Sequence, residues 1–258
     1  MEFFYNKEVI VKLSVILVFI LSLLTIIFVL SRSLMKESAI ALFRCLIQLF
    51  LLSQVLIYLF YYSHDSIKFM ACLFIILMAI LNTSLKSDFK FTTRDYLIYS
   101  IIYLTIAPFL ANFANSLMKD QFEFKFFIPI LGMILGNSLN GIVLSRNAFF
   151  TNIRSNQELI SLKRIMGATP YESVRLYFQQ AIRTGLTPML NVLSIVGIVS
   201  LPGMLTGQLI ANEDVMTAVL NQFIIMAVIF ASIYFVTCIG LYFSFSFNLG
   251  RGDLHDIY

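Results

Sequence analysis

The chain has 258 residues, 59% of them hydrophobic and only 12% charged, with a formal net charge of +4. This composition is too apolar for a water-soluble globule and indicates an integral membrane protein. The positive charge is concentrated in one segment, so it marks the side of a membrane on which that segment lies and argues against a nucleic-acid-binding role.

Seven apolar runs are long enough to span a bilayer, because a helix needs about 20 apolar residues to cross the hydrocarbon. The spans are predicted to be helices, since lipid offers backbone amides no partner and the sequence lacks the alternating pattern of barrel strands. The predicted fold is all-α, a polytopic helical bundle of about seven transmembrane helices that forms a single transmembrane domain over residues 1–258. The runs are 9–30, 39–61, 67–84, 96–114, 126–145, 187–211 and 215–244.

The distribution of charge predicts the orientation of the spans. Residues 146–186, between the fifth and sixth runs, are basic, and by the positive-inside tendency they form a cytoplasmic insert. This choice places the N-terminus outside, the C-terminus inside and most of the 18 Lys and Arg residues inside. We expect an N-out, C-in, multi-pass protein of the cell (plasma) membrane. The charged residues of the insert that carry this argument are Arg146, Arg154, Lys163, Arg164, Arg175 and Arg183, against Glu158 and Glu172.

The insert contains two patterns typical of helix starts. Residues 155–158 and 169–172 both fit the capping box, in which a hydroxyl and a carboxylate satisfy free amides reciprocally. Gly167 can end the preceding helix in a left-handed conformation, and Pro170 can occupy the first helical position of the next. The insert is therefore predicted to fold as a helix, a corner at residues 167–170 and a second helix.

Two interpretations of this corner are open. It is either a surface helical hairpin that shields the bundle or a knob that contacts a soluble partner. Small residues at the corner allow a partner backbone to approach closely, and charged residues can form a rim around the contact. In the second interpretation the contact residues are Glu158, Arg164, Gly167, Ala168, Thr169, Pro170 and Glu172.

The sixth run contains residues that break helices. Pro202 has no amide hydrogen to donate, and Gly203 and Gly207 loosen the helix further. We expect this span to kink or unwind near residues 201–203. Unwound backbone at membrane depth must be satisfied by protein or border a water-filled cavity, so the break is either a structural kink or part of a translocation pathway.

Polar residues also occur in other spans. Met133, Asn137 and Asn140 lie on one face of the fifth span, because they are spaced i, i+4 and i+7. Arg44 in the second span either snorkels to the cytoplasmic surface or, with Gln48 one turn deeper, anchors the insert or lines the inner mouth. The predicted pathway residues are Arg44, Gln48, Met133, Asn137, Asn140, Asn191, Ser200, Pro202, Gly203, Met204, Thr206, Gln208 and Gln222.

The sequence encodes no recognisable cofactor or metal site. No Asp or Glu lies deep within the predicted spans, so a carboxylate cage for a hard cation is not expected, and amide oxygens and thioethers offer only transient ligands. His-Glu-x-x-His, Gly-x-Ser-x-Gly and P-loop motifs are absent. The chain is predicted not to be an enzyme and not to bind ATP itself.

Several motifs resemble those of a known transporter family. Gly167, Ala168 and Thr169, followed by an amphipathic stretch and Pro188, resemble the coupling loop of ABC transporter permeases. The chain also resembles the FetB-type permeases, a family associated with iron export. The segments that carry this resemblance are PILGMILGN at 129–137, MGATP at 166–170, SLPGMLTGQ at 200–208 and the RxxxQL element at 44–49.

The resemblance implies the membrane-spanning subunit of an ABC exporter for iron or another metal ion, with sugar nucleotides as a further substrate class. It also implies a homodimer of the permease and a separate ATP-binding subunit that holds ATP and Mg²⁺. Two other functions stay open: an ion-coupled secondary transporter of a small solute, and a membrane scaffold that recruits a soluble protein. Secondary transport normally uses intramembrane carboxylates, which the predicted spans lack.

Overall fold

The computed structural model describes residues 15–16, 18–20, 22–25, 28, 31–61, 64–119 and 121–248. Those before residue 31 are helical, and none in any of these ranges belongs to a β-strand, which confirms the predicted all-α fold. From residue 32 onward the helices are α1 (Arg32–Tyr61), α2 (Asp65–Lys86), α3 (Thr93–Met118), α4 (Phe124–Ser155), α5 (Gln157–Ile165), α6 (Pro170–Ile195), α7 (Gly203–Ile210) and α8 (Val215–Asn248).

Five of these helices, α1, α2, α3, α4 and α8, are long and apolar enough to cross a membrane. They coincide with five of the seven predicted runs. The run at 9–30 falls largely outside the described residues. The run at 187–211 is not one helix, because α6 ends at Ile195 and α7 begins at Gly203. The span count of seven and the N-out, C-in orientation stay predictions.

The chain forms two compact units, Met1–His64 and Asp65–Tyr258. Helix α1 belongs to the first unit, and large apolar side chains are exposed along its length, among them Phe43, Leu46 and Leu49. Such a surface suits hydrocarbon rather than water as the solvent.

The second unit is built around α4, which packs against α2, α3, α6 and α8, while α3 also packs against α8. The buried side of α4 carries Leu131, Ile134, Leu135, Ile142 and Phe149. These residues repeat at the three- and four-residue spacing that keeps side chains on one side of a helix. Helix α4 is therefore the core element against which the rest of the unit is positioned.

Helices α4 and α6 cross at a pair of glycines. A Cβ added to Gly185 would overlap the Ser145 hydroxyl oxygen and lie 2.5 Å from the carbonyl oxygen of Gly141. A Cβ on Gly141 would lie 2.5 Å from Cγ2 of Ile233 in α8. Only glycine fits at these two positions, so the backbones of α4 and α6 touch directly.

Helix α4 continues well past residue 145, where the fifth apolar run ends. Phe149, Phe150 and Ile153 are all buried and extend the apolar face of the helix toward Ser155. Residues 146–155, which the charge pattern assigned to the insert, are therefore the last turns of α4. Tertiary burial decides this boundary, and hydropathy alone could not place it.

Candidate functional site

The turn between α5 and α6 forms the predicted corner. Gly167 has a φ of 96°, in the left-handed region that glycine adopts without strain. Its N–H donates to the Arg164 carbonyl at 3.1 Å, and the Ala168 N–H donates to the Lys163 carbonyl at 3.0 Å. The prediction of a helix, a corner and a second helix is confirmed.

The start of α6 is the predicted capping box. The Glu172 N–H donates to Oγ1 of Thr169 at 3.3 Å, and Oε2 of Glu172 accepts from the Thr169 N–H at 2.8 Å. The other predicted box, at residues 155–158, is wrong, because Ser155 still belongs to α4 and Asn156 caps α5 without a side-chain hydrogen bond. The pattern was present there, but burial of the preceding turns extends α4 to Ser155, so this residue does not cap α5.

Acidification is expected to weaken the cap at residue 169. Hydrogen bonds from the side chain and then the backbone of Thr169 hold the pKa of Glu172 below its usual value of 4.5. Because the pKa of Glu172 is lower in the folded state, the cap contributes its full stability at pH values above the unfolded-state pKa. This stability is lost as the pH falls through the folded-state pKa.

We expect hydrogen exchange of the peptide spanning Thr169 and Glu172, corrected for intrinsic rates, to lose protection over that acidic range. Glu172→Gln keeps an acceptor but removes the titrating group, so this variant serves as the control and its protection stays constant. If protection depended on pH equally in the wild type and in Glu172→Gln, Glu172 would not be the group whose titration weakens the cap.

The corner segment, which we define as residues 158–172, presents a mixed surface. Of the predicted contact residues, Glu158, Arg164, Gly167, Thr169 and Glu172 are exposed, and Ala168 and Pro170 are half-buried.

Exposed apolar side chains, which the sequence patterns did not single out, lie beside them. Ile165 is 83% exposed and Met166 is 79% exposed, while Ile160 is buried and anchors α5. Both exposed side chains lie outside the five candidate membrane spans, and contiguous exposed apolar patches are typical of interaction sites.

Between α6 and α7 the backbone leaves the helical conformation over residues 196–202. Gly197 has a φ of 82°, and its N–H donates to the Ser200 carbonyl at 3.0 Å. Pro202 precedes the first turn of α7, and no side chain caps that turn. The predicted break is confirmed, but it begins at Val196 rather than near residue 201, because the glycine at 197 permits a left-handed turn.

One helix joins the corner to the break. Helix α6 has 26 residues, which at 1.5 Å per residue makes it about 39 Å long. It starts inside the corner segment, crosses α4 at Gly185 and ends at Ile195, where the break begins. The corner and the break are therefore the two ends of one helix, which contains Pro188.

The predicted pathway residues fall on several surfaces. Asn137 and Asn140 are exposed on α4, and Nδ2 of Asn137 donates to the Met133 carbonyl of its own helix at 2.8 Å. Asn191 is exposed near the end of α6, and Ser200 is half-buried within the break. The remaining residues near the break are Pro202 and Met204, both half-buried, the exposed Gly203, and Thr206, whose hydroxyl donates to the Gly203 carbonyl at 2.9 Å.

Two carboxamides among the predicted pathway residues have an unsatisfied oxygen. Oε1 of Gln208 in α7 and Oε1 of Gln222 in α8 are buried without a hydrogen-bond partner. Helix α7 packs against α8, so the structure places these two residues on contacting helices. A buried acceptor without a donor is costly, so these two oxygens stand out among the polar groups of the described residues.

Arg44 and Gln48 belong to α1 in the first unit, where both are exposed. Their part in a pathway stays a prediction. Among the described residues, no three His, Cys, Asp or Glu side chains are grouped as metal ligands.

Comparison with known proteins decides the family. The model of UPF0014, described as an uncharacterised protein family, matches residues 10–247. The chain belongs to the UPF0014 family. No solved structure matches it.

This UPF0014 chain is 30% identical over 204 residues to the Probable iron export permease protein FetB of Escherichia coli, covering 78% of this chain and 77% of FetB. It is 28% identical over 233 residues to the UPF0014 membrane protein YjkA of Bacillus subtilis, covering 88% and 90% of the two chains. It is also 40% identical over 105 residues to the UPF0014 membrane protein slr1647 of Synechocystis, a match spanning 41% of this chain and only 40% of that relative. The resemblance to FetB-type permeases is confirmed.

The UPF0014 chain also contains a buried ion pair that the sequence patterns did not reveal. Arg146 is 2% exposed, although the charge pattern placed it on the surface of the insert. Its Nη1 donates to Oδ1 of Asp95 at 3.2 Å, and its Nη2 donates to Oδ2 at 3.1 Å. Nη1 also donates to the Ser244 hydroxyl at 3.1 Å, and Nη2 donates to the Lys90 carbonyl at 3.2 Å. Helices α3, α4 and α8 of this UPF0014 protein thus meet at one side chain.

Two aromatic rings enclose the guanidinium group of this UPF0014 protein. Cζ of Arg146 lies 4.4 Å from the ring centroid of Phe91 and 4.8 Å from that of Phe150. A signal was present in the sequence, because the apolar pattern of α4 resumes after Arg146 with Phe149 and Phe150. An apolar face that continues beyond a charged residue indicates that the charge stays within the helix bundle.

Proposed function

We propose that this chain is the membrane-spanning permease subunit of an ABC exporter in the plasma membrane, driven by ATP that a separate subunit hydrolyses. The observation that carries the proposal is the α5–α6 corner, which continues through α6 into the interrupted segment at 196–202. Because one helix joins the exposed corner to the unwound segment, a soluble ATP-binding subunit that moves the corner can change the conformation of a membrane pathway.

The corner segment contacts the ATP-binding subunit, which holds ATP and Mg²⁺. Its exposed apolar side chains, Leu162, Ile165 and Met166, form the centre of the contact, and the charged residues around them form its rim. An apolar centre with a polar rim is the usual anatomy of a protein interface. A helical hairpin that only shielded the bundle would turn these apolar side chains inward.

The permease acts as a homodimer, with the exposed face of α4 turned toward the second copy. A Cβ on Gly132 or Gly136 would meet no atom within 4 Å, and Asn137 and Asn140 on the same side are exposed in the single chain. Carboxamides facing hydrocarbon are costly, so a second copy and the solute pathway are expected to cover them.

The transported solute is iron or another metal ion, as the name of the relative FetB suggests for that protein. The ligands available on this chain are the oxygens of Gln208 and Gln222 and the thioethers of Met133 and Met204. These are weak ligands, and a transport pathway needs binding that is weak enough for release.

The proposal is tested by copurifying the chain with candidate ABC ATP-binding subunits and reconstituting the complex in vesicles. We expect iron or another divalent metal to stimulate ATP hydrolysis and to be moved across the membrane. Stimulation of ATP hydrolysis by sugar nucleotides alone would indicate that the solute is a sugar nucleotide rather than a metal ion. Flux driven by a proton gradient without any ATPase would favour a secondary transporter, and partner binding without flux would favour a scaffold.

Labelling of the corner tests the orientation on which the proposal depends. Met166→Cys, in a chain whose native cysteines are replaced, is expected to react with a membrane-impermeant maleimide only from the cytoplasmic side, because a cytoplasmic ATPase must reach the corner. Val215→Cys, at the exposed start of α8, is the opposite-side control under the same topology. Reaction of residue 166 from outside would overturn the proposal.

Substitution of Gly167 by valine is expected to uncouple transport from ATP hydrolysis while the protein still inserts. A φ of 96° is unfavourable for a β-branched residue, and the strain of about 1–2 kcal/mol reshapes the corner. This corresponds to a loss of about tenfold in affinity for the ATP-binding subunit, measured by pull-down or calorimetry. Gln179→Ala, on the exposed side of α6 outside the corner segment, is the control and keeps normal affinity. Normal transport by Gly167→Val would count against the contact.

A further inference from the structure

We infer that the Arg146–Asp95 ion pair and a chain of aromatic rings hold the corner segment in position on the bundle, so that the corner is linked to α3 and α8 as well as to α6. The positional part of this inference depends only on the fold, whereas its effect on coupling rests on the proposed function. We call the rings that connect the corner to the ion pair the ring chain, and its members are Tyr171, Phe178, Phe245, Phe149 and Phe150.

The ring chain starts within the corner segment. Tyr171, the second residue of α6, has its ring centroid 5.9 Å from that of Phe178 and 6.4 Å from that of Phe245 in α8. Phe149 of α4 lies 5.9 Å from Phe178 and 6.1 Å from Phe245. All four separations fall within the range of about 4.5–7 Å over which aromatic pairs attract. The corner is therefore packed through rings onto both α4 and α8.

The ring chain ends on the buried arginine. Phe149 lies 5.5 Å from Phe150, and the Phe150 ring supports the guanidinium of Arg146 on one side. Phe150 also lies 5.4 Å from Phe89, in the loop before α3. Displacement of the rings must therefore move either the guanidinium or the loop that it holds.

The ion pair joins three helices at one point. Asp95 accepts from Arg146 of α4, from the hydroxyl of Ser244 in α8 and, through Oδ2, from the Thr92 N–H at 3.0 Å at the start of α3. Because both oxygens and the bidentate guanidinium are engaged, small displacements break several charge-assisted hydrogen bonds together. Arg146, Asp95 and Tyr171 are therefore positioning residues, and none of them needs to touch nucleotide or solute.

The positional part is tested on the purified full-length chain in lipid nanodiscs, with spin labels at Met166 in the corner and Leu85 at the end of α2, both highly exposed. We expect a single narrow distance distribution, which Asp95→Asn and Tyr171→Ala each convert into a broad one. Tyr171→Phe keeps the ring and restores the narrow distribution. Ser232→Ala, which removes a buried hydrogen bond between α4 and α8 elsewhere, leaves it narrow. A narrow distribution in Asp95→Asn or Tyr171→Ala would overturn the inference.

The effect on coupling is tested with a matched pair of variants in the complex with the ATP-binding subunit. Ser244→Ala and Ser232→Ala each remove one buried hydroxyl that links α8 to α4, but only the first belongs to the ion pair. We expect Ser244→Ala to reduce the solute moved per ATP hydrolysed without reducing subunit binding, and Ser232→Ala to leave this ratio unchanged. Equal losses would indicate general packing and overturn the coupling role.

The two tests separate the two ideas. If the wild-type complex moves no solute, the proposed function fails while the spin-label result still decides whether the ion pair positions the corner. If transport is present and Asp95→Asn leaves the label distances unchanged, the inference fails while the proposed function stands.

Discussion

Substitution of Arg146 by methionine is expected to lower the free energy of unfolding by about 3–5 kcal/mol, the usual cost of removing one partner from a buried ion pair. Asp95 is fully buried and would be left as an uncompensated charge. Methionine is flexible and fits the apolar slot between Phe91 and Phe150, so the loss reflects charge more than packing. The measurement is reversible denaturation in mixed detergent micelles, followed by circular dichroism.

Two further variants show whether the ion pair causes the loss. Arg183→Met, on the exposed side of α6, removes the same charge and is expected to unfold like the wild type. The double variant Asp95→Asn and Arg146→Met removes both charges and is expected to recover much of the stability, because no buried charge is left without a partner. Wild-type stability in the single Arg146→Met variant would contradict this account.

Substitution of Gly185 by alanine is the second large change, and it is expected to separate α6 from α4. The added methyl group overlaps the Ser145 hydroxyl and approaches the Gly141 carbonyl to 2.5 Å, and a backbone carbonyl cannot rotate away. Overpacking of this kind costs about 1–3 kcal/mol. The gain of about 1 kcal/mol that alanine normally brings to a helix does not offset the upper part of that cost. The same denaturation experiment measures the loss.

A glycine without neighbours provides the matched control. Gly207→Ala, in α7, places its methyl group where no atom lies within 4 Å, so stability is expected to stay constant or to rise by about 0.4–1 kcal/mol. Combining Gly185→Ala with Ser145→Ala removes one of the two overlaps and is expected to restore stability only in part. If Gly185→Ala were neutral, the direct backbone contact would be wrong.

The features that could be predicted from the sequence are those with a local physical cause. The capping box at 169–172 and the left-handed Gly167 depend on residues within a few positions of one another, and both are present. Residues 155–158 fit the capping-box sequence equally well, but no capping box forms there. Buried Phe149 and Ile153 extend α4 to Ser155, and the hydrophobic gain from that extension outweighs a single cap.

The ion pair could not be predicted because its members are distant in sequence. Arg146 and Asp95 are separated by 51 residues, and only the packing of α3 against α4 brings them together. The positive-inside tendency applies to exposed charges, and a count of Lys and Arg does not identify those that are paired in the interior, as Arg146 is. The contact between Gly141 and Gly185 is hidden for the same reason, since either residue alone is compatible with any helix.

If α6 tilts as one rod about its crossing with α4 at Gly185, it acts as a two-armed lever. The arm toward Pro170 is about 22 Å long and the arm toward Ile195 is about 15 Å long, at 1.5 Å per residue. Any tilt of α6 about this fulcrum carries the two ends in opposite directions, with the far end travelling roughly two thirds as far. If a partner displaces the α5–α6 corner, as proposed, the displacement reaches the unwound segment reversed in sense, reduced in amplitude and increased in force.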